Sequence, residues 1–404
     1  EAGWLATHGL PADAGSGTAW YFGNDHELYQ RLRSSLAGPI EWGDTGKRMS
    51  ETAARHEDAF VNLEQGFHIN DTVWWDCRDL AERGPYSTTF VTECCRLILF
   101  NEASDTGDRH IFVVEDSDLA DVLVATARRR GIALRRLGSS LARRVFSASV
   151  RSAANLARYG LAAFRRWRTI RRLAAYRRIH PVPVDRLAEC DVLIAAWTAS
   201  GDFPADAPRN LAHSMGTLPT RLRSEGLRVG FIALPLAETS DLDDISRNVC
   251  EAADAAMHVD DGLTAGQLFR TAAETLICRA RVKSGFVIGQ YDVSEIAQMV
   301  LARERFAWRP ANAALWAQAG PFLARHGIRP KAVFHVYENQ TWEKGLRHGL
   351  RRALPATRIV GCQQSPFSEL YPNMIPSSNE LENGRWPDCV LALGRNSERK
   401  LSKV

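Results

Sequence analysis

Short apolar runs set between helical patterns constrain this chain more than any other feature. In its second half the stretches 191–197 (DVLIAAW), 228–234 (RVGFIAL), 332–337 (AVFHVY), 358–362 (RIVGC) and 388–393 (DCVLAL) have strand length and few polar interruptions. Such runs suit strands buried on both faces of a sheet. Helical patterns lie between them, at 208–225, closed by Gly226, and at 341–353; residues 242–319 read as mostly helical and weakly patterned. Strands alternating with helices predict βαβ units, a parallel sheet and right-handed crossovers. The expected fold class is α/β, with a parallel-sheet domain over 185–395.

The first 135 residues predict a further α/β region. Residues 18–23 (TAWYFG) and 110–115 (HIFVVE) read as strands. Residues 71–83, with Trp74-Trp75, and 90–100 read as helices, and Ser117 or Asp118 is placed to cap a helix running to 130. A chain of 404 residues exceeds one small core, so two domains are expected. Residues 396–404 look like the start of a helix and of a truncated further domain. The opening Glu-Ala-Gly-Trp has no initiator Met and no basic-then-apolar signal pattern, so the chain reads as a fragment cut at both ends. No run reaches the roughly 18 apolar residues of a spanning helix. The eight cysteines form no C-x-x-C pair, which points away from zinc and towards a reduced, cytoplasmic setting.

Charge is distributed unevenly. Residues 122–184 contain 16 Arg and no Asp or Glu, which leaves 35 Lys and Arg against 47 Asp and Glu elsewhere. Within 136–184, Arg144, Arg151, Arg158, Arg165 and Arg172 recur every seven residues. Phe146, Ser149, Ala153, Leu156, Gly160, Ala163, Trp167, Ile170 and Ala174 alternate three and four apart, as on one long amphipathic helix or two joined near Gly160. Pro181 and Pro183 end it. Three occupants fit the basic face. An anionic membrane would be met by the arginines, with Phe146, Leu161, Phe164 and Trp167 dipping into the interface. The acidic remainder of the protein, or of a partner, is the second. Nucleic acid is disfavoured, because base-stacking aromatics are not interleaved with the arginines.

Two strand ends carry the candidate chemistry. The run ending at Tyr337 is followed by Glu338-Asn339-Gln340, and the run ending near Gly361 by Gln363-Gln364-Ser365. Neighbouring parallel strands that shed polar groups at their carboxyl ends are how an open α/β sheet builds a site. A carboxylate at Glu338 can serve as a general base. Asn339 and Gln340 can orient a hydroxyl-rich ligand, and Thr341 is expected to cap the next helix, whose free N–H groups favour an anion. Glu343 and Arg347 are spaced to pair on the helix surface. Lys344 reads as solvated and Trp342 as core. Glu369 and Tyr371 fall in an irregular stretch that can line the site. Asp116-Ser117-Asp118 after a strand can hold a divalent ion on a nucleotide diphosphate, although helix capping explains it more simply. His258-Val259-Asp260-Asp261 is expected as an exposed turn rather than a metal site. No dinucleotide, P-loop, H-E-x-x-H or G-x-S-x-G motif is present.

The run Tyr337-Glu338-Asn339-Gln340-Thr341-Trp342-Glu343-Lys344, then Gln364-Ser365, Pro387-Asp388 and Leu391-Ala392-Leu393-Gly394, resembles bacterial surface-carbohydrate biosynthesis proteins. These are glycosyltransferase-like proteins of GT-B type, associated with O-antigen or capsule synthesis. Trp74-Trp75 and Pro85-Tyr86 are similar to their N-terminal part; the specific match lies in 333–394. The resemblance implies two Rossmann-like domains facing a cleft, with the acceptor in the first and a nucleotide-sugar in the second. Most of the donor domain would then lie outside this chain. It also implies Glu338 as the base that deprotonates an acceptor hydroxyl. Asn339, Gln340, Gln363, Gln364 and Ser365 would shape the acceptor pocket, with Arg347, Glu369 and Tyr371 also binding substrate. No resident cofactor or metal is implied; the donor is a nucleotide-sugar, and a CMP-activated acidic sugar is one candidate. The basic helix would bring the enzyme, as a peripheral protein, to a lipid-linked glycan at the inner membrane face. The rival expectations are a non-catalytic membrane-associated assembly protein and a metal-dependent GT-A-like enzyme using Asp116 and Asp118.

Overall fold

The structure, a computed structural model, describes residues 17–35, 40–84, 87–108, 110–132, 141–199, 202–203, 215–235, 242–278, 280–367, 370 and 372–402. Pro85, Tyr86, Glu369 and Tyr371, and the side chains of Arg144, Phe146, Ser149 and Arg151, lie outside them.

The N-terminal strand runs form a small parallel sheet. Strand β1 (Gly17–Phe22) lies between β2 (Ile40–Trp42) and β3 (His110–Val114). Helix α1 (Phe90–Ser104) is buried along almost its whole length and packs Cys94, Leu97, Ile98 and Phe100 into the core beside this sheet. Helix α2 (Ser117–Arg129) follows β3. The helix expected over 71–83 is instead two short ones, Thr72–Asp76 and Asp79–Glu82. Arg78 between them is extended, and Arg83 turns the chain in the left-handed region at φ 59°.

Helix α3 (Leu141–Ile179) is continuous for 39 residues, about 58 Å, and Gly160 does not break it. Its Ala, Leu and Arg content favours helix throughout, and the prolines beyond His180 stop it.

The second half builds a six-stranded, wholly parallel sheet. Its strands are β4 (Val192–Thr198), β5 (Val229–Pro235), β6 (Ala256–His258), β7 (Ala332–Tyr337), β8 (Arg358–Gln363) and β9 (Cys389–Leu391). The spatial order is β9-β8-β7-β4-β5-β6. The chain winds outward from β4 to β6, returns to β7 beside β4, and winds outward the other way; this is the Rossmann order. The short edge strand β6 was not legible in the weakly patterned stretch. Leu193, Ile194, Phe231, Ile232, Val333 and Ile359 form the core.

Packing does not follow sequence order. Phe286, Ile288, Val293, Ile296 and Val300 join the core of the N-terminal region, and Phe67–His68 pairs antiparallel with Arg281–Val282. All eight cysteines are free. No helix of the described residues is long and apolar enough to cross a membrane.

Candidate active site

In a doubly wound sheet the carboxyl ends of the two strands at the reversal diverge and leave a crevice. Here those strands are β4 and β7, and Glu338 is the first residue past β7. The register pairs Tyr337 with Gln363, so the polar ends of β7 and β8 emerge side by side, as expected. Glu338 is half-buried. One carboxylate oxygen accepts from the Gln340 amide at 2.6 Å and the other from the Ser365 hydroxyl. Gln340 in turn accepts from the Trp342 indole at 2.7 Å. Gln364 is half-buried at the same edge.

The turn that presents Glu338 is rigid. Asn339 lies in the left-handed region at φ 56°, which Asn tolerates better than most residues. Its buried side chain accepts from Arg347 at 2.9 Å and donates to the Asn373 carbonyl at 2.9 Å, and Asn373 donates to the Glu338 carbonyl at 2.8 Å. The Glu343 carboxylate accepts from the backbone N–H groups of Glu338 at 2.9 Å and Asn339 at 3.0 Å. Burial pushes Glu343 up to about 8, while Arg347 and the backbone N–H groups of Glu338 and Gln340 oppose it. Burial likewise holds His335, beneath this turn, at about 3 and so uncharged.

Several expectations at this edge are corrected. Thr341 is the first residue of helix α4 (Thr341–Ala353) rather than its cap, and Gln340 occupies the cap position without a side-chain bond. The helix end is also not open to a ligand anion: the Thr341 N–H donates to Glu82 of the N-terminal region at 3.0 Å. Glu343 and Arg347 do pair, at 3.5 Å, but both are buried rather than on the surface. Lys344 is not solvated: only 2% exposed, it donates to the Ala81 carbonyl at 2.9 Å and pairs with Glu380 at 2.6 Å. The N-terminal region covers the Thr341 N–H and Lys344, through Glu82 and Ala81, whereas Glu343 and Arg347 are enclosed by Glu338, Asn339 and Arg385. Asn339, Arg347 and Gln363 are buried in the framework; Gln363 donates to the Ser365 carbonyl at 2.8 Å and accepts from the Leu393 N–H at 3.0 Å. The residues that reach the solvent side are Glu338, Gln340, Gln364 and Ser365. Trp342 is core, as expected. It stacks edge-on with Trp197 at the end of β4, centroids 5.0 Å apart, and both meet Trp316. No spacing in the sequence announced that aromatic cluster.

The other acidic patterns have internal partners. Asp116 caps α2, accepting from the N–H groups of Asp118 at 2.8 Å and Leu119 at 3.2 Å. Arg303 contacts both Asp116 and Asp118, at 2.7 and 3.3 Å. His258-Val259-Asp260-Asp261 is buried, not an exposed turn: Asp260 pairs with Arg166 and Asp261 with Arg177, each at 2.6 Å. Among the described residues no cluster of three or more His, Cys, Asp or Glu is placed to hold a metal ion.

Two inward arginines change the reading of α3. Its buried stripe is Tyr159, Ala163, Arg166, Ile170 and Leu173, whereas the expected Leu156, Gly160 and Ala174 are exposed. Arg158, Arg165 and Arg172 are exposed. Phe164 and Leu161, 51% and 48% exposed, share the outward face with them. Trp167 is half-buried, packed towards Leu263, Leu268 and Leu315, with Arg171 over its ring at 5.0 Å.

Comparison of the chain with protein-family models, curated proteins and solved structures finds no match.

Proposed function

We propose that this chain is the acceptor-side part of a GT-B-like glycosyltransferase of surface-polysaccharide synthesis. In this reading Glu338 removes the proton of an acceptor hydroxyl, which attacks the anomeric carbon of a nucleotide-activated sugar; the nucleotide leaves with the bonding pair. The observation that carries the reading is a half-buried carboxylate beside the sheet's reversal point, on a turn held by Asn339, Glu343 and Asn373. Ser365 or Gln340 yields its bond to Glu338 when the hydroxyl arrives. Gln364 lies beside them to orient the glycan. The outward face of α3, with Arg158, Arg165 and Arg172 around Leu161 and Phe164, complements an anionic membrane carrying a lipid-linked acceptor.

The test is sugar transfer from a panel of nucleotide-sugars, CMP-linked ones included, to lipid-linked glycans, by the full-length protein and its Glu338→Gln variant. Loss of about 10²-fold or more is expected for a general base. Unchanged transfer by the variant removes the base assignment. No transfer by either protein favours the non-catalytic assembly reading.

A further inference from the structure

A second site lies behind the Glu338 turn, where the N-terminal region meets α4. A cavity of about 260 Å³ is lined by Arg347, His348 and Arg351 of α4, by Arg385 with its neighbours Asn383 and Gly384, and by Thr72. Three arginines and a histidine line it, and among the described residues no Asp or Glu does. Arg351 is held by Asp388 through bonds of 2.7 and 3.0 Å. Arg385 is held by Asp76 at 2.5 Å and Glu64 at 3.1 Å, and His348 by Asp76 at 2.8 Å. These carboxylates fix Arg351, Arg385 and His348 from outside the cavity wall. Arg347, 2% exposed, keeps Nη1 without a hydrogen bond, its nearest charge being Glu343 at 3.5 Å. Arg385, 8% exposed, keeps Nε without one. Buried N–H groups on fixed guanidinium planes are costly to leave unpaired, and oxyanions match their geometry.

We infer that this cavity binds an oxyanion of the phosphate class, either free phosphate or the phosphate of a small phosphomonoester. The volume admits such a group with space for a small attached moiety. The site is separate from the transferase reading and does not depend on it.

The probe is inorganic phosphate, titrated calorimetrically into the whole chain, with chloride and acetate at matched ionic strength. Saturable binding of phosphate, and a rise in melting temperature not given by chloride or acetate, are expected. Arg351→Gln should weaken that binding about tenfold or more. His348→Gln, whose amide can still reach Asp76, should weaken it while preserving the fold by circular dichroism. An exposed control, Arg228→Gln, should bind as the parent does. Absence of saturable phosphate binding overturns the assignment, as does equal binding by the parent and both cavity variants.

Discussion

Asp79 and Glu304 are buried carboxyls whose partners do not match their charge. Glu304 is approached by the Thr88 side chain and the Leu80 backbone, while Oδ1 of Asp79 accepts no hydrogen bond and has Arg309 as its nearest cation at 3.4 Å. Burial pushes Asp79 up to about 7, with Arg309 opposing and Glu82 reinforcing, and pushes Glu304 well above the carboxylate range. A carboxyl raised in the folded state adds stability fully present below its unfolded value near 4 and lost as pH rises through about 7. Glu380 and Asp76 are shifted the other way, so their contribution falls away only under stronger acid. Asp79→Asn should therefore melt closer to the parent at pH 5 and gain on it by pH 8. Melting curves across that range check this, and parallel pH profiles would remove the assignment. No motif marked Asp79 or Glu304, because a carboxyl's environment comes from residues distant in the chain. Glu338 was legible because its surroundings are mostly local: Gln340, Glu343 and the next strand end.

Helices α3 and α4 show how far periodicity reaches. Its spacing allows one amphipathic helix or two joined near Gly160; the structure has one, α3, and packs a different face of it. Arginines count as polar in any pattern, but Arg166 and Arg177 turn inward because Asp260 and Asp261, at the end of β6, neutralise them there. Arg158, Arg165 and Arg172 are exposed on the outward face, and a basic residue near an anionic membrane contributes about 1 kcal/mol. Replacing Arg158, Arg165 and Arg172 together by Gln should lower partition onto anionic vesicles by about 10²-fold. Vesicle flotation measures it; equal flotation with neutral and anionic lipid would reject the membrane role. In α4, Gly345 and Gly349 lie so close to the preceding helices that an added Cβ would stand 2.0 Å from the carbonyl oxygens of Ala313 and Ala317. That approach seats α4 closely against residues 313–317.

Across the molecule, the N-terminal region and the six-stranded sheet are joined by buried ion pairs rather than by a linker alone. Arg83 pairs with Glu380 at 2.9 Å and Arg385 with Asp76 and Glu64, and Lys344 donates to the Ala81 carbonyl at 2.9 Å. Residues 286–300 return to the N-terminal core. The two regions should unfold together. Arg83→Met removes one of the two cations paired with Glu380 and leaves it Lys344 and the Ser377 N–H; it should cost about 3 kcal/mol. In urea, far-ultraviolet dichroism and tryptophan fluorescence should shift as one coincident transition; separated transitions would show independent units. The sequence by itself determined the α/β class, the main strands β4, β5, β7 and β8, the amphipathic helical character of α3 and the pairing of two polar strand ends. Those follow from side-chain periodicity and local turn chemistry, which act over a few residues. Only the tertiary structure decided the strand order, the inward face of α3, the Glu82 carboxylate at the start of α4 and the basic cavity beside it. Each of these depends on which distant charges and backbones meet once apolar surface is buried, and periodicity carries no record of that.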